Sequence, residues 1–457
     1  MARDTTDNQP VENNEQLVGW LAEGCKPKEQ WRIGTEHEKF GFCTESFQPV
    51  PYEGDKGIAA ILNALKKETG WEAINDDGNI IGLFNPVEGG AISLEPGGQF
   101  ELSGAPLETI HETCRESNQH LAQVKKIAAD LGIGFLGLGG SPLWTFAETP
   151  MMPKSRYNIM KNYMPKVGTQ GHDMMFRTTT IQVNLDFSDE RDMVRKLQLS
   201  LKLQSMASAL FANSPFTEGK PNGLLSWRSD IWRDVDNQRS GYHPFMLADD
   251  FSFQKYVDWA MDVPMYFIIR DGKYHDCTHV TFRQFLDGDL KGEVEDWRAN
   301  MGDWGNHMST LFPDVRLKRF LEMRGADGGP WQRICALPAF WVGLLYSDSA
   351  LSAAEDVTAD WGADMVGTLR DDVPKHGLKA EINGKPLLHF AKEILEISRS
   401  GLEERGNENS DGLDETAFLA PLEDVVGSGR TPAEVMLDQY HKEWGEDILK
   451  VFEEYAF

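Results

Sequence analysis

Hydrophobic and polar positions alternate along this chain with two different periods. Apolar residues recur every three to four positions over 106–131, 190–212, 330–345 and 387–405, and helical spacing returns from residue 431 to the end, which predicts α-helices there. Alternation with period two predicts β-strands near 31–44, 79–85, 90–103, 133–138, 175–187, 264–276 and 314–325. Strands fill the first three quarters and helices the last part, so we expect an α+β fold with an antiparallel or mixed sheet.

The same pattern suggests how the chain is organised. Residues 1–14 are polar, which predicts a short disordered lead. Residues 15–457 are expected to form a single domain that is mostly helical from about residue 330. Residues 401–415 read as an exposed connector between helices. No run of 18 apolar residues is present, so we expect no membrane partner.

Charge and cysteine content exclude several classes of function. The formal net charge of −27 disfavours nucleic acid and anionic lipid as partners. The five cysteines are widely spaced with no CxxC motif, which argues against a zinc cluster or a disulfide framework and favours a reducing, cytoplasmic location. The sequence GIGFLG at 132–137 follows a predicted helix rather than a strand, so it does not predict a dinucleotide site, and no P-loop is present.

Polar residues recur in pairs two positions apart on four predicted strands. Residues at i and i+2 share one face of a strand, so each pair projects from the same side. The pairs are Glu36 with Glu38, Gln99 with Glu101 (preceded by Glu95), Gln182 with Asn184, and Glu322 with Arg324. One such face is usually exposed to solvent, but carboxylates converging from several strands repel one another unless a cation lies between them. Mg²⁺, which prefers oxygen ligands and bridges carboxylates to phosphates, is the natural candidate.

Arginines supply positive charge for the same predicted site. Arg156 precedes Tyr157, Arg177 opens a predicted strand, and Arg228 lies between helical segments. Each could equally form a surface ion pair in so acidic a protein. Arg324 is the strongest candidate for a functional role, because it shares a strand face with Glu322.

Several long runs of the sequence resemble the glutamate–cysteine ligases of plants and many proteobacteria. They include GTEHEKFGF (34–42), SLEPGGQFELSGAPLET (93–109), RYNIMKNYMPKVG (156–168) and LKRFLEMRGADGGPW (317–331), and the resemblance extends from about residue 30 to the end. It implies a catalytic fold similar to that of glutamine synthetase, in which a curved, mainly antiparallel sheet forms a bowl surrounded by helices.

The resemblance also implies roles for individual residues. Two or three Mg²⁺ ions would be bound by Glu36, Glu38, Glu95, Glu101, Gln182 and Glu322. Arg324 would face the phosphates as a catalytic residue together with Glu38, and substrate would be bound by Arg228, Arg156, Tyr157 and Arg177. Cys114 and Cys335 would form a redox disulfide. A second plant pair would join Cys277 to a cysteine near position 292, where this chain has Gly292.

The implied reaction uses ATP to join the γ-carboxylate of glutamate to the amine of cysteine through γ-glutamyl phosphate, the first step of glutathione synthesis. We expect the enzyme to be a monomer or homodimer, with feedback by glutathione. Three alternatives remain: a related ligase that uses another amine, a glycoside hydrolase with paired carboxylates, and a binding or scaffold protein. The hydrolase would leave the arginines unexplained, and the scaffold would leave the carboxylate repulsion without purpose.

Overall fold

The structure is a computed structural model and describes residues 4–290 and 297–457. Position 292 lies outside the described residues. Helices and strands are interspersed up to about residue 330, and helices dominate thereafter. The predicted α+β class is therefore confirmed.

The described residues form the following helices, in chain order: α1 (Asn14–Ala22), α2 (Ile58–Thr69), α3 (Ile110–Asp130), α4 (Arg156–Tyr163), α5 (Gly171–Arg177), α6 (Glu190–Leu210), α7 (Trp227–Ile231), α8 (Phe253–Asp262), α9 (Phe282–Leu286), α10 (Met301–Ser309), α11 (Trp331–Leu345), α12 (Asp348–Val357), α13 (Ala363–His376), α14 (Leu387–Arg405), α15 (Ala420–Ser428), α16 (Pro432–Lys442) and α17 (Lys450–Glu454). Short 3₁₀ helices span Lys28–Gln30, Met164–Lys166, Pro244–Leu247, Gly377–Lys379 and Glu415–Leu419.

The strands of the same residues are β1 (Ile33–Cys43), β2 (Glu72–Asp76), β3 (Asn79–Phe84), β4 (Ala91–Leu94), β5 (Phe100–Ser103), β6 (Ile133–Leu136), β7 (Thr180–Leu185), β8 (Phe216–Thr217), β9 (Lys220–Pro221), β10 (Ser240–Gly241), β11 (Phe267–Arg270), β12 (Lys273–Asp276), β13 (Phe312–Pro313), β14 (Val315–Leu317), β15 (Leu321–Asp327), β16 (Glu381–Ile382) and β17 (Lys385–Pro386).

One antiparallel sheet of nine strands organises the described part of the chain. Its order is β14-β15-β7-β1-β5-β4-β3-β2, and β6 pairs with the second half of β1. The long strand β1 therefore lies near the centre, with β7 on one side and β5 on the other. These are the strands that carry the polar pairs, so the topology brings those pairs side by side.

Helices cover the opposite, apolar face of this sheet. Val183 and Leu185 of β7 and Met323 of β15 are almost completely buried there, in a core shared with α6 and α11. From Ile334 to Leu345 helix α11 is apolar and buried, because α3, α14 and the sheet all contact it. Burying such side chains contributes about 1.5–3 kcal/mol each, which fixes the sheet's orientation and leaves its polar face for function.

The predicted elements differ from the structure at several boundaries, and three regions predicted as single strands (90–103, 264–276 and 314–325) each contain two antiparallel strands joined by a turn. Helix α3 begins four residues late, because Leu107 is still hydrogen-bonded to Ile33, and Thr109 then caps the helix with Glu112 at N3. The region predicted as a strand over 175–187 is divided: α5 ends at Arg177, and β7 begins at Thr180. The predicted connector starts later as well, since α14 continues to Arg405.

The polar lead also differs from the expectation of disorder. From Asp4 onwards its described residues contact the rest of the chain, and the side chain of Asn13 caps α1. Within the described ranges no single helix is long and apolar enough to cross a membrane. The bent pair α11–α12 passes that test by length and composition, and its apolar residues are buried in the protein core.

Candidate active site

The register of the central strands places the predicted polar side chains on one face. Glu38 of β1 lies opposite Glu101 of β5, and Glu36 lies opposite Gln182 of β7. Residues directly opposite one another in an antiparallel pair point to the same side. In the same way Glu322 of β15 lies opposite Asn184 of β7. The structure therefore brings the polar pairs of four strands together, as the alternation predicted.

Short hydrogen bonds orient these carboxylates. Ser93 and Ser103 each donate to a different oxygen of Glu101, both at 2.6 Å. The amide of Asn184 donates to Glu36 at 2.8 Å, and the backbone N–H of Thr180 donates to Glu38 at 3.1 Å. Each glutamate keeps part of its accepting capacity for another group.

Burial and like charge make Glu38 costly to ionise. Burial raises the pKa of Glu38 well above its ordinary value, and the carboxylates of Glu95 and Glu101 raise it further. The pKa of Glu95 is also raised, first by burial and then by Glu101, although Lys154 and Arg156 oppose the shift. A cation held among these three carboxylates would relieve their repulsion.

Glu322 is satisfied by protein cations instead. Its carboxylate accepts from Arg316 at 2.6 and 2.8 Å, from Arg324 at 2.6 Å and from Lys318 at 3.2 Å, and the residue is 0% exposed. Although burial opposes it, the charge of Arg316 and then those of the other two hold the pKa of Glu322 well below the usual range. Both oxygens are engaged, so Glu322 differs from the open ligand that we expected.

The donor set fits a metal ion in part. Among the described residues, no three His, Cys, Asp or Glu side chains are positioned to enclose an ion as they stand. The available donors near Glu38 are carboxylate and amide oxygens, which suit Mg²⁺. Glu36, Glu38, Glu95, Glu101 and Gln182 therefore have the donor chemistry of Mg²⁺ ligands, whereas both carboxylate oxygens of Glu322 are occupied by protein cations.

Two arginines face these carboxylates across a narrow cleft. Arg228, at the start of α7, and Arg324 line the same cleft as Glu38 and Glu95. Arg228 is 3% exposed, donates to the carbonyl of Arg324 at 2.9 Å, and stacks near Trp232. Burial lowers the pKa of Arg228 to about 10, so the side chain stays cationic at neutral pH. An anionic substrate group in this cleft would meet both guanidinium groups and metal-type oxygen donors.

A buried aspartate holds Arg228 in this position. The hydroxyl groups of Ser214 and Ser226 donate to Asp327 at 2.7 and 2.8 Å, and the backbone N–H of Arg228 donates to the hydroxyl of Ser214 at 3.2 Å. Ser226 is also the N-cap of α7. The start of α7 is therefore fixed to the end of β15, which carries Arg324.

Of the other predicted substrate residues, Arg177 is placed away from the cleft. Its guanidinium donates to Asp173 at 2.7 Å, to Glu218 at 2.8 Å and to the carbonyl of Trp144 at 3.2 Å. Because these donors are engaged and Arg177 does not line the cleft, we propose no substrate contact for it.

Tyr157 is buried as well, with 1% of its surface exposed, and its hydroxyl donates to the carbonyl of Leu94 at 2.5 Å. Leu94 directly precedes Glu95, so Tyr157 holds the backbone next to that residue. Arg156 is 15% exposed at the side chain and remains available beside Glu95.

The sequence reasoning missed three cations of this face. Arg316 and Lys318 flank Glu322, and Lys154 lies 3% exposed near Glu95. Arg316 and Lys318 are themselves two positions apart on and just beyond β14, so the rule that found the acidic pairs could have found them. No comparable signal marked Lys154.

Comparison with protein-family models shows which family this chain belongs to. Residues 32–454 match the model described as glutamate-cysteine ligase family 2. The chain belongs to this family. It is therefore an enzyme that ligates glutamate and cysteine, as the resemblance implied.

Curated relatives agree over nearly the whole chain. Glutamate–cysteine ligase from Solanum lycopersicum is 54% identical over 443 residues, which cover 97% of this chain and 82% of the relative. The enzymes from Arabidopsis thaliana (54%) and Oryza sativa subsp. indica (53%, ligase A) each align over 446 residues, or 97% of this chain, and over 83% and 88% of their own lengths. All three are named chloroplastic. The predicted cytoplasmic location is wrong by this comparison.

Solved structures support the fold. A glutamate–cysteine ligase of Francisella tularensis in complex with AMP has a TM-score of 0.53 at 14% identity, covering 93% of this chain and 89% of the other. A bifunctional glutathione synthetase of Pasteurella multocida also has a TM-score of 0.53, at 13% identity, covering 97% of this chain and 53% of the other.

The ligase has a second, larger cavity at the other end of the polar face. It provides about 350 Å³, against about 80 Å³ in the cleft beside Arg228. Lys26, Arg32 and Lys318 line it, together with Glu36 and Asn184. Positively charged side chains therefore lie next to the carboxylates at this end of the polar sheet face.

The predicted pairing of two cysteines is present. Cys114 of α3 and Cys335 of α11 form a disulfide with a Cα–Cα distance of 5.5 Å. Cys25, Cys43 and Cys277 are free, and burial raises the pKa of Cys277 to about 12, which makes that thiol unreactive.

Proposed function

We propose that this ligase activates the γ-carboxylate of glutamate with ATP and Mg²⁺, and that cysteine then attacks the γ-glutamyl phosphate. The observation that carries the proposal is the cleft in which Glu38 and Glu95 face Arg228 and Arg324. Oxygen ligands for a metal ion and fixed guanidinium groups in one cleft suit phosphoryl transfer between anions, which depends on positioning and charge neutralisation.

The metal ligands that we propose are Glu36, Glu38, Glu95, Glu101 and Gln182. The raised pKa values of Glu38 and Glu95 support this assignment, because a cation would remove the repulsion that raises them. Mg²⁺ bound there would neutralise phosphate charge and orient the transferred group.

Glu322 has a different proposed role. It accepts hydrogen bonds from both Arg316 and Arg324, so it holds Arg324 in the cleft. Arg324 also donates to Gln182 at 2.8 Å. Because two acceptors fix its guanidinium, Arg324 can face developing phosphate charge with little reorganisation.

The larger cavity is the proposed nucleotide site. It has more room than the cleft, and it is lined by Lys26, Arg32 and Lys318, which pair with Asp186, Glu108 and Glu322 and would exchange those partners for phosphate oxygens. Glu36 lies between this cavity and Glu38, so phosphates bound at its inner end would approach the proposed metal ligands.

Arg228, which lines the cleft, and Arg156, whose charge acts on Glu95, are proposed to bind the carboxylates of glutamate. With glutamate in the cleft, its γ-carboxylate attacks the terminal phosphorus of ATP and ADP leaves. The cysteine amine then attacks the acyl carbon, phosphate leaves, and the amine loses a proton. The products are γ-glutamylcysteine, ADP and phosphate, and no protein nucleophile takes part.

Phosphate release tests this proposal. We expect rapid release only when ATP, Mg²⁺, glutamate and cysteine are all present, and near-background rates when any one is omitted. Replacing cysteine by other amines tests the alternative of a relative with a different acceptor. Brisk turnover without glutamate, or unchanged turnover with excess chelator, would contradict the proposal.

A further inference from the structure

Residues 4–11, named here the N-terminal strap, lie along α10. Main-chain hydrogen bonds of 2.8–3.0 Å attach the strap to the start of this helix: Val11 to Ala299, Met301 to Gln9 and Gly302 to Asp7. The strap is therefore a defined part of the structure rather than a loose tail.

Residues of α10 hydrogen-bond to the strap and leave space for its backbone. The amide of Asn306 both accepts from the N–H of Thr5 at 2.8 Å and donates to its carbonyl at 3.1 Å. Gly302 and Gly305 provide the space: a Cβ at Gly302 would lie 2.8 Å from the backbone N of Asp7, and one at Gly305 would lie 3.0 Å from the hydroxyl of Thr5. Any larger residue at Gly302 would displace the strap.

Asp4 of the strap lies beside Arg156, one of the proposed substrate residues. The hydroxyl of Tyr274, on β12, donates to Asp4 Oδ2 at 2.5 Å. Asp4 Oδ1 lies 3.6 Å from Nη1 of Arg156, which is longer than a hydrogen bond. The charge of Asp4 also raises the pKa of Lys154, although burial and Arg156 lower it overall to about 8. Asp4 therefore adds an anion where α4 and its preceding loop supply cations.

An α-amino acid presents an ammonium and a carboxylate on one carbon, and a site for it needs an anion beside a cation. Asp4 and Arg156 are such a pair, with side chains 28% and 15% exposed. Their loose 3.6 Å contact leaves hydrogen-bonding capacity on both groups for a zwitterion.

We propose that Asp4 determines specificity by binding the α-ammonium group of glutamate while Arg156 binds the α-carboxylate. The assignment to glutamate follows from the chemistry: the amine of cysteine is the nucleophile and must be free, whereas the α-amine of glutamate survives the reaction. This inference rests on the proposed function, in which Arg156 contacts glutamate.

Steady-state kinetics of Asp4→Asn with glutamate and with glutarate tests the inference. Glutarate is glutamate without the α-amino group. We expect Asp4→Asn to raise KM for glutamate at least about tenfold with KM for ATP unchanged, since a charge-assisted contact is lost. The wild-type preference for glutamate over glutarate in kcat/KM should shrink by a similar factor. Asp7→Asn is the matched control, because Asp7 is on the same strap and, within the described ranges, its carboxylate accepts from the exposed N–H of Gln9 alone.

Gly302→Ala gives an independent test, because it displaces the strap without changing Asp4 and should also weaken the preference for glutamate over glutarate. An unchanged preference in Asp4→Asn would overturn the inference, and a lower KM for glutamate would show that Asp4 competes with substrate for Arg156. Arg156→Gln distinguishes failure of the proposed function from failure of the inference about Asp4. If it leaves KM for glutamate unchanged, the proposed function of Arg156 fails; if it raises KM while Asp4→Asn does not, only the inference about Asp4 fails.

Discussion

Replacing Arg228 by lysine should remove glutamate binding while keeping the folded cleft. Lysine keeps the positive charge that Asp327 and Glu38 experience, but it loses the planar fork that can hold a carboxylate through two bonds. Losing a bidentate contact to a charged group costs about 2–4 kcal/mol. At about 1.4 kcal/mol per factor of ten, kcat/KM for glutamate should fall about 30- to 700-fold.

The structure separates this effect from simple destabilisation. Arg228→Ala would also leave the carbonyl of Arg324 without its donor, at a cost of about 1–3 kcal/mol. We therefore expect Arg228→Lys to melt close to the wild type and Arg228→Ala to melt lower. Arg233→Lys is the control, since Arg233 follows the same helix and pairs with the partly exposed Asp230 and Asp371.

Initial rates with glutamate and ATP varied in turn provide the assay. Arg228→Lys should raise KM for glutamate at least about tenfold and change KM for ATP little. The reasoning is refuted if KM for ATP rises while KM for glutamate is unchanged, because Arg228 would then bind the phosphates of ATP. Equal behaviour of Arg228→Lys and Arg233→Lys would refute it too.

Two further predictions concern the carboxylates and the disulfide. Burial and the charges of Glu95 and Glu101 raise the pKa of Glu38. The protonated carboxyl group therefore contributes stability that is fully present below the unfolded-state pKa of about 4.3. This stability is lost as the pH rises through the higher folded-state pKa. Without Mg²⁺, Glu38→Gln should therefore melt at a higher temperature than the wild type at about pH 8 but not at about pH 4, which calorimetry at both pH values checks. The kcat of this variant should fall steeply, and near-normal activity would contradict the metal role. Oxidation that links Cys114 to Cys335 should raise activity several-fold, and Cys114→Ser should abolish the response of activity to dithiothreitol. Rate measurements and mass spectrometry of alkylated protein check this. A response retained in Cys114→Ser would exclude redox control by this disulfide.

The central part of the site could be predicted from sequence because its signal is local. Side chains alternate along a strand whatever its neighbours are, so Glu36 with Glu38 and Gln182 with Asn184 had to share faces. Apolar residues between them, such as Val183, had to pack on the other side. Those two facts place the polar pairs on one face once the strands are adjacent.

Other features depend on partners far away in the chain. Glu322 looked like an open ligand until the pairing of β14 with β15 placed Arg316 beside it. Arg177 could not be excluded from the site before Glu218 was known to approach it. Asp4 contacts Tyr274, a residue 270 positions away, through packing on glycines of α10 that no local pattern reveals.

Oligomeric state and glutathione feedback stay predictions. Both concern surfaces and ligands beyond the single chain. Gel filtration and inhibition by glutathione at varied glutamate concentration would measure them.

The acyl phosphate is the central claim, and transfer of ¹⁸O tests it most directly. Glutamate labelled with ¹⁸O in its γ-carboxylate is turned over with ATP, Mg²⁺ and cysteine, and the released phosphate is analysed by mass spectrometry. If the γ-carboxylate attacks the terminal phosphorus of ATP, one of its oxygens leaves with the phosphate, so each phosphate formed in one turnover carries one ¹⁸O. Phosphate without ¹⁸O, released in step with γ-glutamylcysteine, would contradict the account.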